Sequence, residues 1–226
     1  MKTVLSIALV FALSAAYAQR EIGIHGGVNL NTISNTNRGP ENNATLQSFN
    51  VGILANLPFT IFSFQPGIEV NGKGGIVTYG NPESQSDYFV AETNPIYLEV
   101  PATFNLNLRL GEMAGMYIGA GPYASIGIGG SNRVYGRREG AEFAYREAIS
   151  FDNIKDTPAE EGGAYSSFNK YDYGARFNAG LFLTHIHLGV FYDQGLTRFN
   201  RISNPDRNDA LRLGTLGFTA GFVFGG

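Results

Sequence analysis

The chain has 226 residues, among them 30 glycines, 17 phenylalanines and 12 tyrosines, with a formal net charge of −3 and no cysteine or tryptophan. That length suits one main domain, and the lack of cysteine excludes a disulfide framework as its source of stability. Charged residues make up 15%, against about 25% in soluble domains, too few to cover a surface bathed wholly in water; the mild acidity also argues against an electrostatic attraction to nucleic acid.

Residues 1–18, "MKTVLSIALVFALSAAYA", carry one positive charge at Lys2, an apolar run from Val4 to Leu13 and a small-residue end at Ala16-Tyr17-Ala18. This is the pattern of a secretory signal peptide, and its apolar run is shorter than the ~20 residues of a spanning helix. The expected mature domain is residues 19–226.

From there apolar and polar residues alternate with period two in eight segments. Arg20–Leu30 places Ile22, Ile24, Val28 and Leu30 on one face and Glu21, His25 and Asn29 on the other. Ser48–Leu57 sets Phe49, Val51, Ile53, Ala55 and Leu57 against Asn50 and Asn56, and Ile61–Gly74 sets Phe62, Phe64, Ile68 and Val70 against Gln65, Glu69, Asn71 and Lys73. Asn94–Leu108 sets its aliphatic residues against Tyr97, Glu99, Thr103, Asn105 and Asn107, with Arg109 following at the same parity. Gly115–Gly129, Tyr171–Leu183, Ile186–Leu196 and Leu211–Phe224 continue the pattern, with Asp172, Arg176, His187 and Asp193 on the polar faces.

The connections alternate too. "PFT", "LGEMA" and a turn at Thr184-His185 are short, whereas "NTISNTNRGPENNATLQ", "NPESQSDYFVAETN", the stretch from Gly130 to Asn169 and "NRISNPDRNDA" are long and polar. Alternating short and long connections between an even number of strands fit an all-β fold, a transmembrane antiparallel up-and-down barrel with short periplasmic turns and long extracellular loops. Twelve-residue strands span ~40 Å at about 3.3 Å per residue, enough when tilted for an apolar band of about 25 Å.

On this reading the apolar faces meet lipid. Phe59, Tyr79, Tyr97, Tyr171 and Phe199, near the segment ends, are candidates for interfacial aromatic girdles. Pro66, Pro101 and Pro122 predict bulges or strand ends, with a bulge at Pro101. The Gly130–Asn169 stretch is expected to extend its flanking strands or hold a short helix.

The polar faces hold His25, Glu69, Lys73, Glu99, Arg109, Asp172, Arg176, His187 and Asp193. These are the candidate site: a charge network inside the barrel, since an unpaired buried charge costs several kcal/mol. Glu99 should find a basic partner among Arg109, Arg176 and Lys73. The alternative is a narrow pathway for ions or small solutes. A lipid-modifying enzyme is a weaker reading, because no G-x-S-x-G element occurs and His185-x-His187 lacks a third ligand. No cofactor is implied.

"YLEVPATFNLNL" followed by "MYIGAGPYASIGIGG", together with "YDYGARFNAGLFL" and "FYDQGLTRFNR", resembles the PorT-like outer-membrane β-barrel family over nearly the whole mature chain. The resemblance implies an eight-stranded barrel in the outer membrane of a Gram-negative cell, surrounded by outer-membrane lipid and lipopolysaccharide. The residues themselves point to a structural or interaction role exercised through the extracellular loops or a partner complex, with no nucleic acid, and the resemblance adds cell-envelope or secretion proteins as expected partners. It brings no catalytic residues with it.

Overall fold

The computed structural model describes residues 21–35, 42–82, 87–111, 114–149, 151, 168–197 and 211–225. The expected signal peptide and Phe199 lie outside them. Among the described residues eleven strands form one antiparallel sheet: β1 (Glu21–Asn35), β2 (Asn42–Ala44), β3 (Leu46–Phe59), β4 (Phe62–Gly72), β5 (Gly75–Tyr79), β6 (Tyr88–Arg109), β7 (Ala114–Arg138), β8 (Ala141–Ala148), β9 (Tyr171–Leu183), β10 (Ile186–Gly195) and β11 (Leu211–Phe224). No helix occurs among the described residues.

Eight of these strands close a ring in the order β1, β3, β4, β6, β7, β9, β10, β11, with β1 paired to β11. They are the eight segments read from the alternation. Side-chain parity follows that alternation as well. Ile24, Val28, Ile53, Ile68, Phe104, Ile118, Phe177 and Phe222 stand exposed on the outer face. Asn29, Asn50, Asn71, Thr103, Asn105 and Thr215 are buried inside. Closing the ring pairs every wall strand on both edges, which removes the open edges a flat sheet would leave.

The short turns gather at one end. The β3–β4 and β9–β10 connections hold Thr60 (φ 62°) and Thr184 (φ 56°), β-branched residues in the left-handed region, a strained choice fixed by the tightness of these hairpins. At the other end the wall continues past the barrel. β6 and β7 run for 22 and 25 residues, and their outer halves pair with β5 and β8 instead of β4 and β9. The result is a projecting sheet in the order β2-β5-β6-β7-β8. The stretch after Gly130, as far as it is described, is therefore strand, with no helix.

The prolines are not at strand ends. Pro66 on β4 faces Ala102 on β6, which lies beside Pro122 of β7 in the running register, so two prolines flank one residue at one level of the wall. Pro101 keeps regular register, with its ring against the side-chain-free face of Gly67. The bulge expected at Pro101 occurs elsewhere: the β6–β7 register shifts between Ile96 and Tyr97, opposite Gly127 and Gly129. A missing N–H costs a ladder bond but inserts no residue, so proline alone does not move the register.

Candidate functional site

The lumen is organised around Arg176 of β9. Its Nη1 donates to both carboxylate oxygens of Glu69, at 2.8 and 2.9 Å. Nη2 donates to Glu99 Oε1 at 2.6 Å and to Asp193 Oδ2 at 2.9 Å, and Nε donates to Asp193 Oδ1 at 2.7 Å. Glu69 and Glu99 are direct cross-strand neighbours on β4 and β6. Two like charges in that position repel, and the planar guanidinium, with its fork of donors, relieves this by bonding both. The Arg176 guanidinium carbon also lies 4.0 Å above the centre of the Phe191 ring, an attractive arrangement of cation and aromatic face.

Lys73 is the second cation. It lies where β4 breaks before β5, held by a hydrogen bond from its backbone N–H to Pro95 O at 2.9 Å. The next residue, Gly74, has φ 138°, and a Cβ there would lie 1.9 Å from Thr93 O, so only glycine makes this break. The break delivers the Lys73 ammonium into contact with Glu99 Oε2 and to within 3.5 Å of Asp172 and 3.7 Å of Asp193. It also lies 4.0 Å above the Tyr123 ring, whose hydroxyl donates to Asp172 at 2.9 Å. His25 Nε2 approaches Glu69 Oε1 at 3.3 Å. Asn71 donates to Glu69 and Glu99 at 3.1 and 2.9 Å, and Asn29 and Asn50 extend this into an amide ladder.

Seven of the nine sequence-predicted residues thus meet in one buried network: His25, Glu69, Lys73, Glu99, Asp172, Arg176 and Asp193. His187 is buried but nearer the short-turn end, where its Nε2 shares a hydrogen bond with Tyr117 Oη at 2.7 Å and its ring packs on Phe182. Arg109 does not join them. It has the inward parity but is the last residue of β6, opposite Gly115, and its side chain is exposed. Parity gives a direction, whereas depth in the lumen depends on where the strand ends.

Alternation alone could not single out Tyr97, Tyr117, Tyr123 or Phe191, because aromatics suit either face of a barrel wall. Tyr97, a girdle candidate by its place in the sequence, is 1% exposed and points inward. Tyr171 and Phe59 are exposed near strand ends, and the Tyr79 side chain lies outside the described residues. The signal for inward aromatics is a glycine beside them: Cβ atoms at Gly127 and Gly217 would fall 2.3 and 2.2 Å from the Phe151 and Phe191 rings.

Beyond the charge network the lumen is closed by an apolar plug. Ile33, Val77, Ala91, Tyr97, Val134, Ile149, Phe168 and Leu213 are buried together, and Phe89, Phe143 and Phe151 pack onto them. Within the lumen, the cavity among His25, Gln65, Arg176 and His187 measures only ≈40 Å³, room for a few water molecules at most. On the projecting sheet, partial burial and then the Glu92 carboxylate, which accepts the Tyr135 hydroxyl at 3.5 Å, raise the Tyr135 phenol above its ordinary pKa.

The family described as "Outer membrane protein beta-barrel domain" matches residues 15–201. Curated protein sequences contain no match. Among solved structures, Ail, the attachment invasion locus protein of Yersinia pestis, is 14% identical with a TM-score of 0.39, over 91% of this chain and 99% of that one. Neisserial surface protein A is 13% identical with a TM-score of 0.41, over 90% and 97%. OprG from Pseudomonas aeruginosa is 10% identical with a TM-score of 0.35, over 92% and 96%. A closed ring with an apolar outer wall and a hydrogen-bonded polar interior, matched by that family over most of its length, makes this chain a member of the outer membrane protein β-barrel domain family, located in the outer membrane of a Gram-negative bacterium.

Proposed function

We propose that the chain is a non-conducting anchor: a barrel that holds a β-sheet outside the membrane for contact with other proteins. The observation that carries this is the double filling of the lumen, by the Arg176–Lys73 charge network and then by the Tyr97–Val134 apolar plug. A solute would have to break paired buried charges and displace packed apolar side chains, each at several kcal/mol. The projecting sheet adds length to β6 and β7 that no lipid-spanning role requires.

The test is reconstitution of the purified protein into planar bilayers. A silent membrane is expected; reproducible single-channel steps would replace this reading with the solute pathway.

The motifs Tyr97-Leu98-Glu99-Val100-Pro101 and Gly121-Pro122-Tyr123 support a PorT-like assignment within the family, and with it a place beside secretion proteins of the envelope. Co-purification from native membranes tests that assignment: recovery of secretion components is expected, and recovery of none would remove it. Residues 1–18 act in this proposal as the export signal, so the mature protein should begin at Gln19 by intact mass.

A further inference from the structure

Among the described residues, the projecting sheet ends in a strand whose outer edge faces no other strand. Among the described residues β8 pairs only with β7. Its register is regular over all eight residues, and every side chain except the half-buried Phe143 is exposed. Edge strands are usually protected by proline, a bulge, brevity or charge; β8 has no proline or bulge, and its charges, Glu142, Arg146 and Glu147, are of mixed sign. Glu139 (φ 52°) and Gly140 (φ 80°) form the two-residue type I′ turn that joins it to β7. In such a hairpin Arg138 and Ala141 are a hydrogen-bonded pair, so the N–H and C=O groups of Glu142, Ala144, Arg146 and Ala148 point to the free side.

We infer that this edge pairs with the β8 of a second copy of the chain, antiparallel and centred on Ala144, which deepens the anchor reading and rests on it. The backbone allows even-numbered residues to face only even-numbered ones. Of the registers that remain, the one centred on Ala144 sets Glu142 opposite Arg146 of the other copy, twice by symmetry, and Phe143 opposite Tyr145 on the other face. Shifting the centre by one residue either way puts these charges opposite alanine or glycine. Within one chain Arg146 is the cross-strand neighbour of Arg133, a like-charge pair. Glu142 of the second copy would compensate it, continuing one row of side chains as Glu92, Arg133, Arg146, then Glu142 and Arg137 of the partner copy.

The two-fold axis of such a pairing is perpendicular to the sheet. It reverses strand direction, and β7 runs as one continuous strand from the barrel wall into the projecting sheet, so the two barrels lie at opposite ends of the paired sheet. The paired sheet would therefore bridge two apposed outer-membrane surfaces, not two barrels in one membrane.

The experiment measures self-association of the full-length protein in detergent micelles by sedimentation, and clustering of vesicles that carry it. Wild type should dimerise and cluster vesicles. Glu142→Arg and Arg146→Glu should each weaken dimerisation about tenfold, since each sets like charges face to face twice. The double variant, which restores opposite charges, should recover it. Heat-modifiable gel mobility verifies that each barrel is folded. A monomeric wild type, or a double variant no better than the singles, overturns the inference. Dimers that fail to cluster vesicles overturn its bridging geometry. Bilayer conductance would instead remove the anchor reading, so the two failures are distinguishable.

Discussion

Arg176 and Glu69 meet across the width of the barrel: β9 and β4 lie three strand steps apart around the ring, yet the guanidinium holds both carboxylate oxygens at 2.8 and 2.9 Å. Replacing Arg176 with Ala leaves Glu69 and Asp193 without their main counter-charge and Glu99 with Lys73 alone, which should cost about 3–5 kcal/mol. Arg176→Lys should recover only part of this, since an ammonium cannot bond three carboxylates in a plane. Urea unfolding in lipid vesicles, followed by far-ultraviolet circular dichroism, reads the difference. An alanine variant as stable as wild type would show that the network does not hold the barrel together.

Lys73 and Glu99 should be energetically coupled. A double-mutant cycle of Lys73→Met and Glu99→Gln, read by the same unfolding, should give a coupling of roughly 1–3 kcal/mol. Additive losses would mean that the contact contributes nothing beyond each residue's own packing.

Leu98 and Leu108 lie on the same outer face of β6 at different depths, and both are exposed. Leu98→Arg should destabilise by about 2–4 kcal/mol and Leu108→Arg, near the strand end, by about 0–1. Equal costs at the two positions would mean that Leu98 lies no deeper in the apolar band than Leu108.

Gly217 should resist a side chain because Phe191 occupies its space, with the nearest ring atoms 2.2 Å from the point where a Cβ would stand. Gly217→Val should cost about 1–3 kcal/mol through overpacking. Adding Phe191→Ala should make the valine better tolerated than it is alone. If Gly217→Val unfolds at the same urea concentration as wild type, the ring does not lie against that glycine.

The alternation of Leu98, Val100 and Phe104 against Glu99, Thr103 and Asn105 is enough to give both strand and face, because lipid and lumen impose opposite chemistries on neighbouring residues. That contrast fades outside the membrane. β8, "AEFAYREA", alternates aromatic with charged or small residues, and both of its faces meet water at least in part, so its pattern reads as mixed-charge loop. The signal that identifies it is the Glu139-Gly140 turn between two alternating stretches. β5, "GIVTY", is five residues long and follows the break at Gly74; nothing in so short a run separates it from a loop. Glu99 could be assigned an inward direction, but its partners depend on the stagger around the ring. That stagger brings Arg176 and Lys73 to it and leaves Arg109 at the rim.

The register shift opposite Gly127 and Gly129 works like an inserted letter in a reading frame. Before it, odd-numbered residues of β7, Tyr117, Tyr123 and Ser125, face the lumen; after it, Asn132 and Val134 do. Removing Ile128 would restore a single frame. The β6–β7 ladder would then run regularly with its present pairs, with Asn132 and Val134 still toward the plug and Arg133 and Tyr135 still outward; removing any residue beyond the shift instead would turn those that follow it to the opposite face. One residue thus separates the grammar of the membrane from that of the exterior.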